Sequence, residues 1–269
     1  MNDALCAAFA AAALLLPAAR PADAGPEAKA SAAPYYRVFR GARRADLAPE
    51  DYVLRLSSSF IPALPATYAD KGALAYLAAL PPASKPAGLP DEFALVAWKS
   101  ESAFKAAIQT PAGRRHGDMH WDVFDRALSR GVAAAPFKND LVAETAYDVL
   151  VRPVDWQKGY STVYVGLRDP KRTPAEFLEG LRKHVVAMRD ALAPRGADGY
   201  IFVGTDDYEL AFLHWPSRKA ADAAFASDPV KAAAATAEGV LVNLQFSPTE
   251  PFAGSIKPGQ AVNVRFGLL

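Results

Sequence analysis

Two apolar runs separated by a short polar turn stand out in the second half of the chain. The segment 199–215 reads GYIFVGTDDYELAFLHW, and Thr205-Asp206-Asp207 divides it into two strand-length stretches. A short polar turn between two such runs is typical of an antiparallel hairpin. After Trp215 the chain continues with SRKAADAAFA, an alanine-rich stretch that predicts a helix. The pattern therefore predicts a hairpin followed directly by a helix.

The same pattern occurs in the first half, so the chain repeats itself. The aligned stretches are 38–43 with 163–168, 48–52 with 173–177, and 93–100 with 210–217. The offset is 125 residues for the first two pairs and 117 between Trp98 and Trp215, so the first half carries eight extra residues. The loop 80–90, LPPASKPAGLP, is the place we expect for them. An internal repeat predicts one structural unit built twice.

Each half reads β-α-β-β-α-β, which is the order of a ferredoxin-like unit with two helices on one face of an antiparallel sheet. The other face of such a sheet is apolar and needs a cover, which a second copy supplies. The prediction is therefore an α+β fold of two tandem ferredoxin-like repeats packing sheet on sheet as an α+β barrel. Repeat 1 is expected over residues 35–155 and repeat 2 over residues 156–269, which makes the chain a pseudo-dimer.

The start of the chain differs from the rest. Residues 1–24 contain an apolar run and end in Ala22-Asp23-Ala24, a small-residue cleavage pattern, although no Lys or Arg precedes the run. The run is shorter than the roughly 18 residues expected of a membrane span. Residues 1–24 are thus predicted to be a signal peptide of an exported protein, periplasmic or secreted, and residues 25–34 a flexible lead-in. Export would also remove Cys6, the only cysteine.

Composition narrows the classes of function. The chain has 30 basic and 29 acidic residues, and 51% of its residues are hydrophobic. Such a balance gives no basic stripe, so no nucleic-acid partner is expected. The sequence has no G-x-G-x-x-G, P-loop, G-x-S-x-G or H-E-x-x-H motif, which lowers the odds of nucleotide chemistry, serine hydrolysis and zinc proteolysis.

The repeated strand-Trp-x-Ser-helix-Pro unit resembles the dimeric α+β barrel superfamily, which includes antibiotic-biosynthesis monooxygenases, stress-responsive barrel proteins and haem-degrading monooxygenases. The resemblance covers most of residues 35–269. It implies a pocket between the sheet and the helices of each half that binds a flat apolar ligand or haem. The family usually builds its barrel from two chains, so a fused pair implies a barrel within one chain.

In the haem-degrading members, a histidine on the helix after the Trp-x-Ser unit binds iron, and His116 lies close to that place. Ala107 stands where those members carry a catalytic tryptophan, and the first strand, YYRVFRG, lacks their asparagine. Ala233 aligns with His116 in the second repeat. A haem or metal site would therefore be single and asymmetric.

His116 and His120 are the main candidates from the residues themselves. At positions i and i+4 of a helix they would share a face and could hold one metal ion. Gly113 and Gly117 make the continuity of that helix doubtful. The alternative is a polar helix end, where histidines meet the last carbonyl groups.

Other candidates are spread along the chain. His214 lies on an apolar strand, on the face opposite Leu213 and Trp215, and is either a catalytic residue with His116 or a half-buried histidine bonded to backbone. His184 is expected on the solvated edge of an amphipathic helix. The candidate ligand-binding residues, aromatic except for one arginine that could hold a carboxylate, are Tyr36, Trp98, Arg115, Tyr160 and Trp215.

Two functions remain open at this point. One is an exported monooxygenase-like barrel protein that binds a small apolar or aromatic ligand, with catalysis either cofactor-independent or linked to haem. The other is a non-catalytic ligand-binding or stress-associated structural protein, because the recurring residues carry the fold and no complete catalytic set recurs with them. The cofactor is left undetermined, with haem as the one candidate.

Overall fold

The strands of both halves join edge to edge in one closed barrel, with helices packed on its outside. This computed structural model describes residues 34–266, without the side chains of 243 and 244. The predicted signal peptide, residues 1–24, and nearly all of the predicted lead-in, residues 25–34, lie outside the described residues. Within the described range, no helix combines the length and apolar character needed to cross a bilayer.

Both halves contain the predicted alternation of strands and helices. The elements of the first half are β1 (Tyr35–Gly41), α1 (Pro49–Arg55), α2 (Ile61–Tyr68), β2 (Ala73–Ala79), β3 (Glu92–Trp98), α3 (Glu101–Gln109), α4 (Pro111–Val123), β4 (Arg130–Pro136) and β5 (Ala146–Asp148). Those of the second half are β6 (Tyr160–Arg168), α5 (Pro174–Leu192), β7 (Gly199–Gly204), β8 (Tyr208–Trp215), α6 (Arg218–Ala226), α7 (Asp228–Ala235), β9 (Leu241–Pro251) and β10 (Ala261–Val264). A single π-helical turn, Leu56–Phe60, joins α1 to α2.

The last strand of each half crosses to the other half. Around the barrel the order is β1-β3-β2-β10-β9-β6-β8-β7-β5-β4. Thus β5 pairs with β7 of the second half, and β10 pairs with β2 of the first half. The sheet is mixed, because β4 with β5 and β9 with β10 run parallel while the other pairs run antiparallel. The predicted α+β barrel is confirmed as a closed ten-stranded barrel.

Side-chain alternation divides the apolar residues between the barrel interior and two outer layers. On β8, Leu210 and Phe212 point into the interior core, whereas Leu213 and Trp215 pack against the helices of the second half. On β3, Leu95 lies inside and Trp98 packs against the first-half helices. The two outer layers are where a cavity can form between sheet and helix.

The serine of the repeated Trp-x-Ser unit starts the helix that follows. Ser100 accepts a hydrogen bond from the Ala103 backbone N–H at 3.1 Å, and Ser217 accepts one from Ala220 at 3.2 Å. Each serine satisfies one of the N–H groups that a helix leaves unpaired at its first turn. The recurrence of this serine therefore has a structural cause and indicates no reaction.

Replacing either capping serine should destabilise the protein by a similar amount. We expect Ser100→Ala and Ser217→Ala each to lower the free energy of unfolding by about 1 kcal/mol, because each leaves a helix N–H without a partner. Chemical denaturation of both variants measures the effect, with Ser84→Ala, at an exposed position of the loop 80–90, as the control. Equal stability of the capping and control variants would contradict this role.

Candidate functional site

A cavity of about 410 Å³ lies between the outer face of β1 and β3 and the helices α2, α3 and α4. Its walls are mainly aromatic, from Phe39, Tyr68, Trp98, Phe104 and Trp121. The volume falls within the range of small-molecule pockets, roughly 300–1,000 Å³. We call this space the first cavity. Its position between sheet and helices is the one that the sequence resemblance implied.

His116 is the most unusual polar residue of the first cavity. Its side chain is 3% exposed, and neither Nδ1 nor Nε2 has a hydrogen-bond partner. The ring stacks on Phe60 with centroids 5.2 Å apart and meets the edge of Tyr68 at 5.1 Å. Burial, and to a lesser degree the nearby His120, lowers the pKa of His116 to about 3. The imidazole is therefore neutral at physiological pH, with both nitrogens unsatisfied.

The helix that carries His116 is continuous through Gly113 and Gly117, which removes the doubt that these glycines raised in the sequence. Thr110 caps α4 by accepting the Gly113 N–H at 3.0 Å. Gly113 is needed for close packing, since a Cβ at this position would overlap the carbonyl of Ala107. The Tyr68 hydroxyl also donates to the Gly113 carbonyl at 3.2 Å. Together these contacts fix the turn that points His116 at the first cavity.

His120 lies one turn further along α4, as the spacing predicted. The two imidazole centroids are 5.1 Å apart with planes at 89°, and His120 Nδ1 bonds to the His116 carbonyl at 3.0 Å. Burial lowers the pKa of His120 as well. Among residues 34–266, no group of three or more His, Cys, Asp or Glu side chains is placed to hold a metal ion. A metal held by this pair alone stays a prediction.

Two arginines give the first cavity a positive rim. Arg37 and Arg114 line it, and no carboxylate is among its described lining residues. The Arg37 guanidinium lies 4.6 Å from the centroid of the Phe104 ring and donates to the Gly131 carbonyl at 3.0 Å. Arg115, the arginine predicted to bind ligand, is exposed and lies outside the lining. A ligand carboxylate would meet Arg37 and Arg114.

The predicted ligand-binding aromatics lie in different places. Trp98 lines the first cavity, and Tyr160 lines a second cavity in the other half. Tyr36 is buried in the barrel interior, where burial raises its pKa to about 12. Trp215 is fully buried in the second-half core against Phe225, with ring centroids 5.2 Å apart, and does not line the second cavity. The structure therefore does not bring these residues into one site.

His214 is held by hydrogen bonds at both ring nitrogens. Nδ1 lies 2.5 Å from a carboxylate oxygen of Asp198, and Nε2 lies 2.7 Å from the Lys158 carbonyl. Its ring meets Trp156 at 5.3 Å on the interior side of β8, opposite Leu213 and Trp215 as alternation predicted. His214 lines neither cavity, and its contacts fit the structural interpretation of a hydrogen-bonded histidine, which at 3% exposure is buried and not half-buried.

A second cavity of about 500 Å³ lies between the strands β6, β8 and β9 and the helices α5 to α7. Sequence analysis placed only Tyr160 near it and did not predict the buried ionisable residues of its lining, His184, Tyr200 and Glu209. The prediction of a solvated His184 was wrong, since the side chain is 4% exposed. Its spacing from Leu181 and Met188, both buried, places it on the apolar face of α5.

Two buried glutamates occupy corresponding places in the two halves. Glu92 lies opposite Gly41 in the strand register, and Glu209 lies opposite Gly166. Glu92 accepts a hydrogen bond from the Tyr76 hydroxyl at 2.8 Å, whereas Oε1 of Glu209 has no partner. Burial raises the pKa of Glu92 to about 7 and that of Glu209 to about 8. The two glutamates are 117 residues apart, which is the offset of the repeat in this region. The sequence repeat was therefore a signal from which this pair could have been found.

Comparison with known proteins adds a likeness of fold. No family model and no curated protein matches the chain. A proposed monooxygenase from Fusobacterium nucleatum is 11% identical with a TM-score of 0.46, over 80% of this chain and 90% of that one. A proposed monooxygenase from Lactobacillus acidophilus is 9% identical with a TM-score of 0.40, over 80% and 91%. Chlorite dismutase from Candidatus Nitrospira defluvii, in complex with imidazole, is 10% identical with a TM-score of 0.33, over 82% and 92%.

The likeness to these proteins concerns the closed barrel. It joins ten strands, five from each half of the chain, and carries its helices on the outside. This architecture agrees with the α+β barrel that the sequence predicted. The resemblance is one of fold, and the chemistry has to be argued from the chain's own cavities.

Proposed function

We propose that this protein binds a small, flat, mainly apolar aromatic ligand in the first cavity, with His116 as its central polar contact. The observation that carries the proposal is a buried, neutral imidazole with two unpartnered nitrogens beside an aromatic-walled cavity. A buried polar atom without a partner costs about 1–3 kcal/mol, so a ligand that bonds to it recovers free energy. The binding energy of such a ligand would come from the apolar walls and its orientation from His116.

The low pKa of His116 limits its chemical role. Taking a proton from a phenol of ordinary pKa, about 10, by a base with a pKa of about 3 is unfavourable by about 9–10 kcal/mol. His116 is therefore a poor general base in this environment and a good hydrogen-bonding partner. The catalytic role predicted for it is proposed here as ligand positioning, with or without a monooxygenase-like oxidation of the ligand.

Haem fits the same residues by their chemistry. An imidazole must be neutral to bind a metal ion, and His116 is neutral and without a partner. Arg37 and Arg114 on the rim would pair with the carboxylates of a haem, since guanidinium groups match carboxylates in charge and geometry. When bound, haem would supply the redox chemistry. His116 would hold it, the aromatic walls would contact its faces and exclude water, and the arginines would fix its orientation.

Binding titrations distinguish these ligands. We expect the purified protein to bind haemin or 2-naphthol saturably, and His116→Ala to weaken that binding at least tenfold, since it removes the buried imidazole whose two nitrogens lack partners. His184→Ala is the matched control, because it removes a buried histidine from the other cavity and should leave the affinity unchanged. Visible absorption reports haemin, and calorimetry reports naphthol. Failure of the wild-type protein to bind either, or equal affinity in His116→Ala, would contradict the proposal.

The alternative is a binder without catalysis. It is favoured because the polar side chains of the described walls are histidines, tryptophans, Tyr68 and the rim arginines, with no carboxylate that could act as a base. Measuring oxygen uptake in the presence of the bound ligand distinguishes an enzyme that oxidises the ligand from a binder without catalysis. Saturable uptake that is lost in His116→Ala supports an oxidation, and uptake at the background rate supports a binder.

We also infer that the barrel arose by tandem duplication, with repeats at residues 35–155 and 156–269. In support, Tyr35 pairs with Trp98 and Tyr160 pairs with Trp215, so the strand registers repeat at the same offsets as the sequence. Superposition of β1 and β3 on β6 and β8 checks the correspondence. Export to the periplasm or medium is a separate proposal from residues 1–24, and N-terminal sequencing of the mature protein tests it.

A further inference from the structure

The two cavities differ in the charge of their linings. The first has Arg37 and Arg114, and no carboxylate among its described lining residues. The second has Glu209 and Asp222, and neither lysine nor arginine among its described lining residues. Opposite charges in otherwise aromatic cavities indicate ligands of opposite charge. The second cavity is therefore not a spare copy of the first.

Glu209 is the feature that calls for a ligand. Its side chain is 1% exposed, lines the second cavity, and has no hydrogen-bond partner at Oε1. Its counterpart Glu92 is bonded to the hydroxyl of Tyr76. Tyr200 occupies the place of Tyr76, since they pair with Leu213 and Val96 at the repeat offset, yet within the described residues its hydroxyl makes no hydrogen bond to Glu209. The second half thus leaves its buried carboxyl free.

Aromatic rings surround this carboxyl. The second cavity is walled by Tyr160, Tyr164, Tyr200, Phe225 and Phe246. Phe225 and Phe246 meet edge to face at 5.5 Å and 85°, and Phe246 is 45% exposed, which places it at the mouth. The faces of aromatic rings attract cations, most strongly where water is excluded. A carboxylate behind several aromatic rings is a suitable environment for a positively charged nitrogen.

We infer that the second cavity binds an organic cation, such as a quaternary or aromatic amine, with Glu209 as its counter-ion and the aromatic walls around it. The site is separate from the first cavity and from the function proposed for it. A cation of this kind supplies the charge that an ionised Glu209 needs at a buried position, and its carbon groups fill the apolar space.

Binding should be linked to the loss of a proton. The other ionisable groups that line the second cavity are Tyr160 and Tyr164 on β6, His184 on α5, Tyr200 on β7 and Asp222 on α6. Burial lowers the pKa of His184 to about 4 and raises the pKa of all three tyrosines. Asp222 is exposed and lies 3.7 Å from Arg218. Glu209, with its pKa raised to about 8 by burial, is left as the group that changes charge near neutral pH.

The test uses calorimetry on the full chain with choline and its uncharged isostere dimethylbutanol (3,3-dimethyl-1-butanol), in which carbon replaces the quaternary nitrogen. We expect choline to bind more tightly than the isostere, and its affinity to rise about tenfold per pH unit below about pH 8 and then level off. Glu209→Gln should weaken choline binding at least tenfold at about pH 8 and remove the pH dependence.

Glu92→Gln is the matched control, because it changes the corresponding buried carboxyl of the other half and should leave choline binding unchanged. The comparison of choline with its isostere needs no variant, so it stands even if Glu209→Gln fails to fold. Equal affinity for choline and dimethylbutanol, an affinity independent of pH, or no saturable binding of choline would each overturn the inference. Loss of naphthol or haemin binding in His116→Ala would not bear on it.

Discussion

The protein is expected to lose about 2–3 kcal/mol of unfolding free energy between about pH 6.5 and pH 8. The cause is the two buried glutamates, whose pKa values are raised from 4.5 to about 7 and about 8. A carboxyl with a raised pKa keeps its proton when folded and loses it when unfolded, so its stabilisation is complete below the unfolded pKa and declines as pH rises towards the folded pKa. Chemical denaturation at a series of pH values measures this.

Below about pH 6.5 the loss of unfolding free energy caused by the two glutamates should be masked by two buried histidines. Burial lowers the pKa of His116 to about 3 and of His184 to about 4, so both histidines are neutral when folded but take up protons when unfolded. Their stabilisation increases with pH up to the unfolded pKa, about 6.5, and offsets the loss from the two glutamates over that interval. Stability should therefore be nearly flat in weak acid and fall only above about pH 6.5.

Isosteric variants distinguish the contributions of Glu92 and Glu209 to the pH dependence of stability. Glu209→Gln should remove about 2 kcal/mol of the decline above about pH 6.5, because the pKa of Glu209 lies 1.5 units above that point, and Glu92→Gln should remove less than 1 kcal/mol. Glu50→Gln, on the exposed first turn of α1, serves as the control and should leave the profile unchanged. An unaltered decline in Glu209→Gln would show that this carboxyl is already ionised in the folded protein.

Replacing Trp156 by alanine should cost about 3–5 kcal/mol, since it empties a large volume in a fully packed core. Trp156 comes from the segment joining the two halves, yet its side chain is 1% exposed inside the barrel. It meets the rings of Tyr36 at 6.2 Å and His214 at 5.3 Å. Its indole N–H has no partner, so the loss would be one of packing and not of a hydrogen bond.

Trp121→Ala is the natural comparison, because Trp121 is partly exposed at the first cavity and its removal should cost less than half as much. Trp156→Phe should recover most of the lost stability by refilling the core. Thermal or chemical unfolding of the three variants measures these differences. Similar stability of Trp156→Ala and Trp121→Ala would mean that the joining segment adds little to the barrel.

Much of the fold could be predicted from the sequence because its signals are local and occur twice. The hairpin at 199–215, the serine caps and the barrel class all follow from short patterns. The crossing of β5 and β10 to the opposite half could not be predicted in this way, since pairing partners more than 50 residues apart leave no local trace in one sequence.

The candidate sites were predicted less completely. His116 could be found because it stands out on a helix of the repeated unit. Glu209 was missed because a carboxylate next to the Asp206-Asp207 turn is more often exposed, although alternation places it on the helix-facing side with Leu213 and Trp215. His184 was predicted to be solvated because it follows Arg182 and Lys183. Adjacent residues of a helix point in different directions, so these charged neighbours do not report the environment of His184.

The exchange of last strands has a consequence for how the chain is made. The edge of β2 is covered by β10, which spans Ala261–Val264 and is synthesised after every other described strand of the barrel. Until then the first half presents an unpaired strand edge, a surface on which other chains can pair. Synthesis from the N-terminus therefore cannot complete the first half ahead of the second, and the nascent chain depends on staying apart from its neighbours until the barrel closes.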